Sequence, residues 1–133
     1  MRFVLDASVA ITWAMRDEDH PLADLAFLEL QAGSAVVPGI WWYEIRNVLV
    51  LNERRDRIST VDSTQFVREL EQFRIDIDFP GSGAPVMELS RKHKLSVYDA
   101  AYLALAMREH LPLATLDRGL TAAAVAEGVQ LVK

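Results

Sequence analysis

At 133 residues the chain is one domain's worth of sequence, with an ordinary globular composition of 51% hydrophobic and 25% charged residues. It has no cysteine, which excludes a disulfide framework, a thiolate metal site and a cysteine nucleophile, and suits a reducing cytosol. A balance of 14 basic against 19 acidic residues, net charge −5, argues against a partner held mainly by phosphate neutralisation, unless bound cations invert the field of acidic ligands.

The apolar N-terminus is interrupted early by Asp6 and is followed by no small-residue cleavage site, so no signal peptide is expected. Apolar runs such as 100–107 fall far below the ~20 residues that span a bilayer, and no membrane partner is expected. A single domain is expected over 1–133, since no repeat, low-complexity stretch or charge block divides the chain.

In chain order, residues 2–6 read as a short buried strand ending at a turn-former. Ser8 can cap a helix over roughly 9–16, and the polar stretch 16–20 ends it. Pro21 suits the first turn of a helix to about Gln31, stopped by Gly33. A second buried strand over 35–37 leads into a long helix over about 39–55, and the spacing of 60–73 is again helical. Residues 74–79 alternate Ile75, Ile77 and Phe79 with Asp76 and Asp78, the period-2 pattern of a half-exposed edge strand. A break over 80–84 precedes a helix over about 85–93. Ser96 opens another to about His110, and Pro112 marks the way into a strand over 113–116. A short helix after Asp117, then Gly128 and a terminal strand over 129–132, complete the chain. Strands alternating with helices imply an α/β fold with an open, mostly parallel sheet covered on both faces.

In such a sheet the ligand crevice lies outside the carboxyl ends of the strands. Asp6 ends the first strand, Asp117 follows the strand over 113–116, Glu44 lies in the early turns of the helix after the second strand, and Asp99 lies in the first turn of its helix. Four acids from distant segments thus converge on one edge. Three have ordinary alternatives: Asp6 as a turn residue, Asp117 as a helix N-cap, Asp99 as the acidic partner of Ser96 in a Ser-x-x-Asp cap. Glu44 has little else to do. At ~100° per residue it falls in the apolar stripe among Ile40, Trp41, Val48 and Leu51, with no lysine or arginine one turn away.

Four carboxylates within a few ångströms repel and raise one another's pKa, a cost that a divalent cation removes. Hard oxygen ligands select Mg²⁺ or Mn²⁺, and His20, His93 and His110, all read as solvent-facing, offer no ligand pair. Such a site supports phosphoryl transfer to water without a protein nucleophile.

The stretches FVLDASV, VPGIWWYEIRNVL, LSVYDAAYLALA and LATLD resemble the PIN domain in its VapC-type form, the toxin half of prokaryotic toxin–antitoxin pairs. The resemblance runs from residue 3 to the terminal strand and is most specific over 98–106. It implies a three-layer α/β/α sandwich, Mg²⁺- or Mn²⁺-dependent endoribonuclease activity, an RNA substrate, a cognate antitoxin, a homodimer and a cytoplasmic location. By position it makes Asp6, Glu44, Asp99 and Asp117 the acidic ligands, Asp6 and Asp99 foremost. Ser8 and Thr115 match hydroxyl positions near the metal, Ser8 alternatively being only a helix cap, and Asn47 matches an amide one turn after Glu44.

Trp41 and Trp42 point about 100° apart on a helix. Either one faces outward, for base stacking or for the antitoxin, or both pack in an interface. Arg118 is read as surface charge, with a phosphate contact as the alternative. A receiver-like signalling module would also gather acids at strand ends, but it wants a lysine after a late strand, and Lys92, Lys94 and Lys133 are not so placed. A catalytically dead PIN-like binding module would have no reason to keep four costly carboxylates.

Overall fold

The computed structural model describes residues 1–15, 19–79 and 84–133. Its sheet contains β1 (Arg2–Leu5), β2 (Ser34–Pro38), β3 (Ile75–Asp78) and β4 (Leu113–Ala114), in the order β3-β2-β1-β4. Every pairing is parallel, with Phe3 opposite Ala35, Val4 opposite Leu113 and Val37 opposite Ile77. The strands are joined through α1 (Ala7–Ala10), a 3-10 turn (Ile11–Trp13), α2 (Pro21–Ala32), α3 (Ile40–Arg54), α4 (Thr60–Leu70), α5 (Ala84–His93) and α6 (Val97–Glu109), and α7 (Arg118–Ala126) follows β4.

Right-handed crossovers from β1 outward to β3 place α1 to α4 on one face, and the return to β4 places α5 and α6 on the other. The contacts agree: α2 packs on β2 and β4, and α6 packs on β1, β2 and β4. Layers on both faces explain why β2 is buried along its whole length and β1 from Phe3 onward, without the alternation of a one-sided sheet. The expected α/β/α sandwich is present. The edge position of β3 is as expected, β2 being its one neighbour among the described residues, but the alternation is not: Ile77 and Phe79 are exposed while Asp78 is half-buried.

Several local expectations are corrected. Ser8 caps nothing: the first helix begins at Ala7, with Asp6 at its N-cap position, and tightens into the 3-10 turn after one turn. The end of the expected helix and part of the polar stretch, residues 16–18, and the break at 80–83 lie outside the described residues. The strand over 113–116 is only Leu113–Ala114; beyond it the Thr115 hydroxyl donates to Asp6 and the Leu116 N–H leaves the ladder for Ser8. The terminal strand is reduced to one bridge, Leu113 to Leu131. At Gly33 a Cβ would stand 2.1 Å from the Met1 carbonyl oxygen, so the end of α2 can pass the start of β1 only without a side chain.

Candidate metal centre

Asp6 is the centre of the site because β1 delivers it to the carboxyl edge of the sheet and the fold closes over it, leaving it 5% exposed. Its Oδ2 accepts the Ser8 hydroxyl at 2.6 Å and the Thr115 hydroxyl at 2.7 Å. Each hydroxyl is itself oriented by a backbone amide, Leu116 N–H donating to Ser8 Oγ and Asp117 N–H to Thr115 Oγ1, both at 3.0 Å. The first turn of α1 and the segment after β4 therefore converge on one carboxylate oxygen. Oδ1 has no side-chain partner among the described residues.

Glu44 is half-buried beside the buried stripe of Trp41, Ile45 and Leu49 on α3. Its one hydrogen bond among the described residues comes from Tyr102 of α6, whose hydroxyl donates to Oε1 at 2.6 Å. Asp99 is the third residue of α6, after an N-cap at Ser96 whose hydroxyl accepts the Asp99 amide at 3.0 Å. The serine is thus a true cap, and its hydroxyl also reaches the Asp99 carboxyl. Asp117 is the N-cap of α7, its Oδ2 accepting the Leu120 amide at 2.7 Å, and it is exposed.

The electrostatics tie these positions together. Burial holds the Asp6 carboxyl above its ordinary range; the Ser8 and Thr115 hydroxyls pull it back, and the charge of Asp117 raises it further. Burial likewise raises Glu44, against the pull of the Tyr102 hydroxyl and with the charges of Asp6 and Asp99 adding to it. Asp99 is raised by burial, then by Asp117 and Asp6, and is lowered by Ser96. No basic side chain figures among these causes, so among the described residues the cluster has no cation of its own. Burial also pushes the Tyr102 phenol far above its usual range, so it stays a proton donor. Among the described residues no three His, Asp or Glu side chains enclose a point at which an ion would sit. The acids share one field without closing into a cage.

The remaining candidates fall further out. Asn47 lies one turn after Glu44 on α3, is exposed, and makes no hydrogen bond to the acids. Trp41 is buried and Trp42 is 42% exposed, with the Arg46 guanidinium 3.6 Å over its ring, so exactly one of the pair faces outward. Arg118 is exposed. His110 is exposed as expected, but His93 is not solvent-facing: its Nε2 lies 2.6 Å from Glu127, with a side chain only 12% exposed. Tyr102 was not among the expected site residues. Its signal was a lone hydroxyl in the run Ala100–Ala106, three residues after Asp99 and hence on the same helix face.

The sequence profile of the PIN domain matches residues 3–126. Ribonuclease VapC3 of Pyrobaculum aerophilum is 32% identical over 124 residues, 90% of this chain and 92% of that protein. The crystal structure of PAE2754 from Pyrobaculum aerophilum superposes with a TM-score of 0.73 at 20% identity, covering 92% of this chain and 84% of that one. The crystal structure of FitAcB from Neisseria gonorrhoeae superposes with a TM-score of 0.65 at 22% identity, covering 100% and 97% of the two chains. Both structural likenesses speak to the fold alone.

Proposed function

Because this chain belongs to the PIN domain family, we propose that it is a metal-dependent endoribonuclease, the toxin of a toxin–antitoxin pair, hydrolysing RNA phosphodiester bonds with water as nucleophile. The observation that carries the reading is Asp6: a buried carboxylate, oriented by two hydroxyls, in the field of further acids and with no cation among the described residues to balance it. Such an arrangement costs stability unless something positive occupies it. The relative of similar length is a ribonuclease by name, which supports RNA as the substrate.

Asp6, Glu44, Asp99 and Asp117 are the groups that would hold the ion, and their all-oxygen chemistry fits a hard cation, Mg²⁺ or Mn²⁺. When bound, such an ion supplies the field that acidifies a water molecule and neutralises the leaving oxygen. The chain's own part is placement. Ser8 and Thr115 occupy Asp6 Oδ2 and so fix the plane of that carboxylate. Asn47, exposed one turn beyond Glu44, is proposed as a supporting amide beside that ligand. Asp117 is shared between its cap and the site. The same reading brings a cognate antitoxin, a homodimer and a cytoplasmic location, where RNA is available.

The test is cleavage mapping on total cellular RNA with Mg²⁺ or Mn²⁺, with Asp6→Asn as the control. Cuts are expected with the wild-type chain plus metal, and none with EDTA or with Asp6→Asn. RNA left intact by the wild-type chain under every condition would overturn the enzymatic reading, and equal cleavage in EDTA would overturn the metal.

A further inference from the structure

We infer that Tyr102 is a positioning residue of the site: its hydroxyl, reaching from α6 to Glu44 on α3, orders the glutamate for the ion before the ion arrives. The inference rests on the metal reading above. The tyrosine ring is wholly buried, and a phenylalanine would fill that space as well. Burying the extra hydroxyl is unfavourable unless it finds a partner, and the partner it finds is Glu44 Oε1, at 2.6 Å.

What the bond joins gives it its role. Tyr102 lies three residues beyond Asp99, so one helix face of α6 carries both a ligand and the group that holds another ligand. The α3 and α6 helices lie on opposite faces of the sheet, so the bond spans the sheet's carboxyl edge between residues 58 apart in sequence. Glu44 has no other hydrogen bond among the described residues. A glutamate loses much rotamer freedom when an ion fixes it, and a donor that has already fixed one oxygen removes part of that cost. Asp6 is treated in the same way by Ser8 and Thr115. Donors that orient metal-ligating carboxylates typically carry ten- to a hundredfold in metal affinity.

The experiment is Mn²⁺ titration calorimetry on the full chain, with Asp6→Asn, Tyr102→Phe, Glu44→Ala and the Tyr102→Phe/Glu44→Ala double variant. Tyr102→Phe is expected to weaken Mn²⁺ about tenfold or more, and to change nothing further once Glu44 is alanine. Wild-type affinity in Tyr102→Phe, or the same loss in both backgrounds, would overturn the positioning role while the metal reading stands. A wild-type chain that binds no Mn²⁺, or binds it as well as Asp6→Asn does, would overturn both. A second measurement leaves the core untouched: the tyrosine ¹³Cζ resonance of Tyr102 in the wild-type chain should move with Mg²⁺ and saturate with binding. A resonance that stays still while Mg²⁺ binds would sink the inference.

Discussion

The chemistry of a single buried carboxylate explains most of what this site does to the protein that carries it. Asp6, Glu44 and Asp99 are each held above their ordinary values of 3.8, 4.5 and 3.8, burial being the first cause in every case. The folded chain therefore keeps these protons to higher pH than the unfolded chain does. Where the folded state binds more protons, the free energy of unfolding falls as pH rises. The penalty is absent below the ordinary values and complete once pH has passed the raised ones. Asp6→Asn keeps an oxygen for the Ser8 and Thr115 hydroxyls and removes the charge. Without metal, at pH 8, it should be more stable than the wild-type chain by roughly 1 kcal/mol, and the advantage should shrink towards pH 4. Urea unfolding in EDTA across that range measures it, and parallel pH profiles for the two proteins would contradict it. The half-buried position of Glu44 and the strand-end position of Asp6 were both legible at this scale, one from its apolar helix face and the other from the end of a short apolar run. Tyr102 was not legible, because a tyrosine in an apolar run is ordinary core until its hydroxyl is seen to touch Glu44.

At the scale of elements, Asp117 is the residue in which two roles meet. It caps α7 through Leu120 N–H, and its charge reaches Asp6 and Asp99. The two roles separate by substitution, because asparagine caps a helix as well as aspartate does and alanine does not. Asp117→Ala should lower stability by about 1 kcal/mol, while Asp117→Asn should keep it near the wild-type value and still weaken Mn²⁺ binding and cleavage. If Asp117→Asn cut RNA at the wild-type rate, Asp117 would be a cap only. The start of α1 shows the limit of local reasoning. A serine two residues after a strand is a good cap in isolation, yet here Ser8 donates to Asp6 and accepts from Leu116, a partner 108 residues away in sequence. Ser96, with its capping partner three residues on, was read correctly because that interaction is local.

On the scale of the whole molecule, the site couples the two helical layers through the sheet edge, so an ion bound there should stabilise the entire fold. At a hundred times its dissociation constant, Mn²⁺ should add about 2.7 kcal/mol, a rise in Tm of roughly 10 °C for a chain of this size. Thermal unfolding with and without Mn²⁺ checks this, and a rise of the same size in Asp6→Asn would place the binding elsewhere. Read alone, the sequence determined the α/β class, the parallel sheet, the edge position of β3 and the segments that carry the four acids. Each follows from hydrophobic period or from the rule that parallel strands share a carboxyl edge. Only the tertiary structure decided the strand order, the shortness of β4, the collapse of the terminal strand to one bridge, the pairing of His93 with Glu127, the carboxylate oxygen that Ser8 and Thr115 share, and the use of Tyr102. These depend on partners tens of residues apart in sequence, and the side-chain period of a segment holds no information about what will stand opposite it.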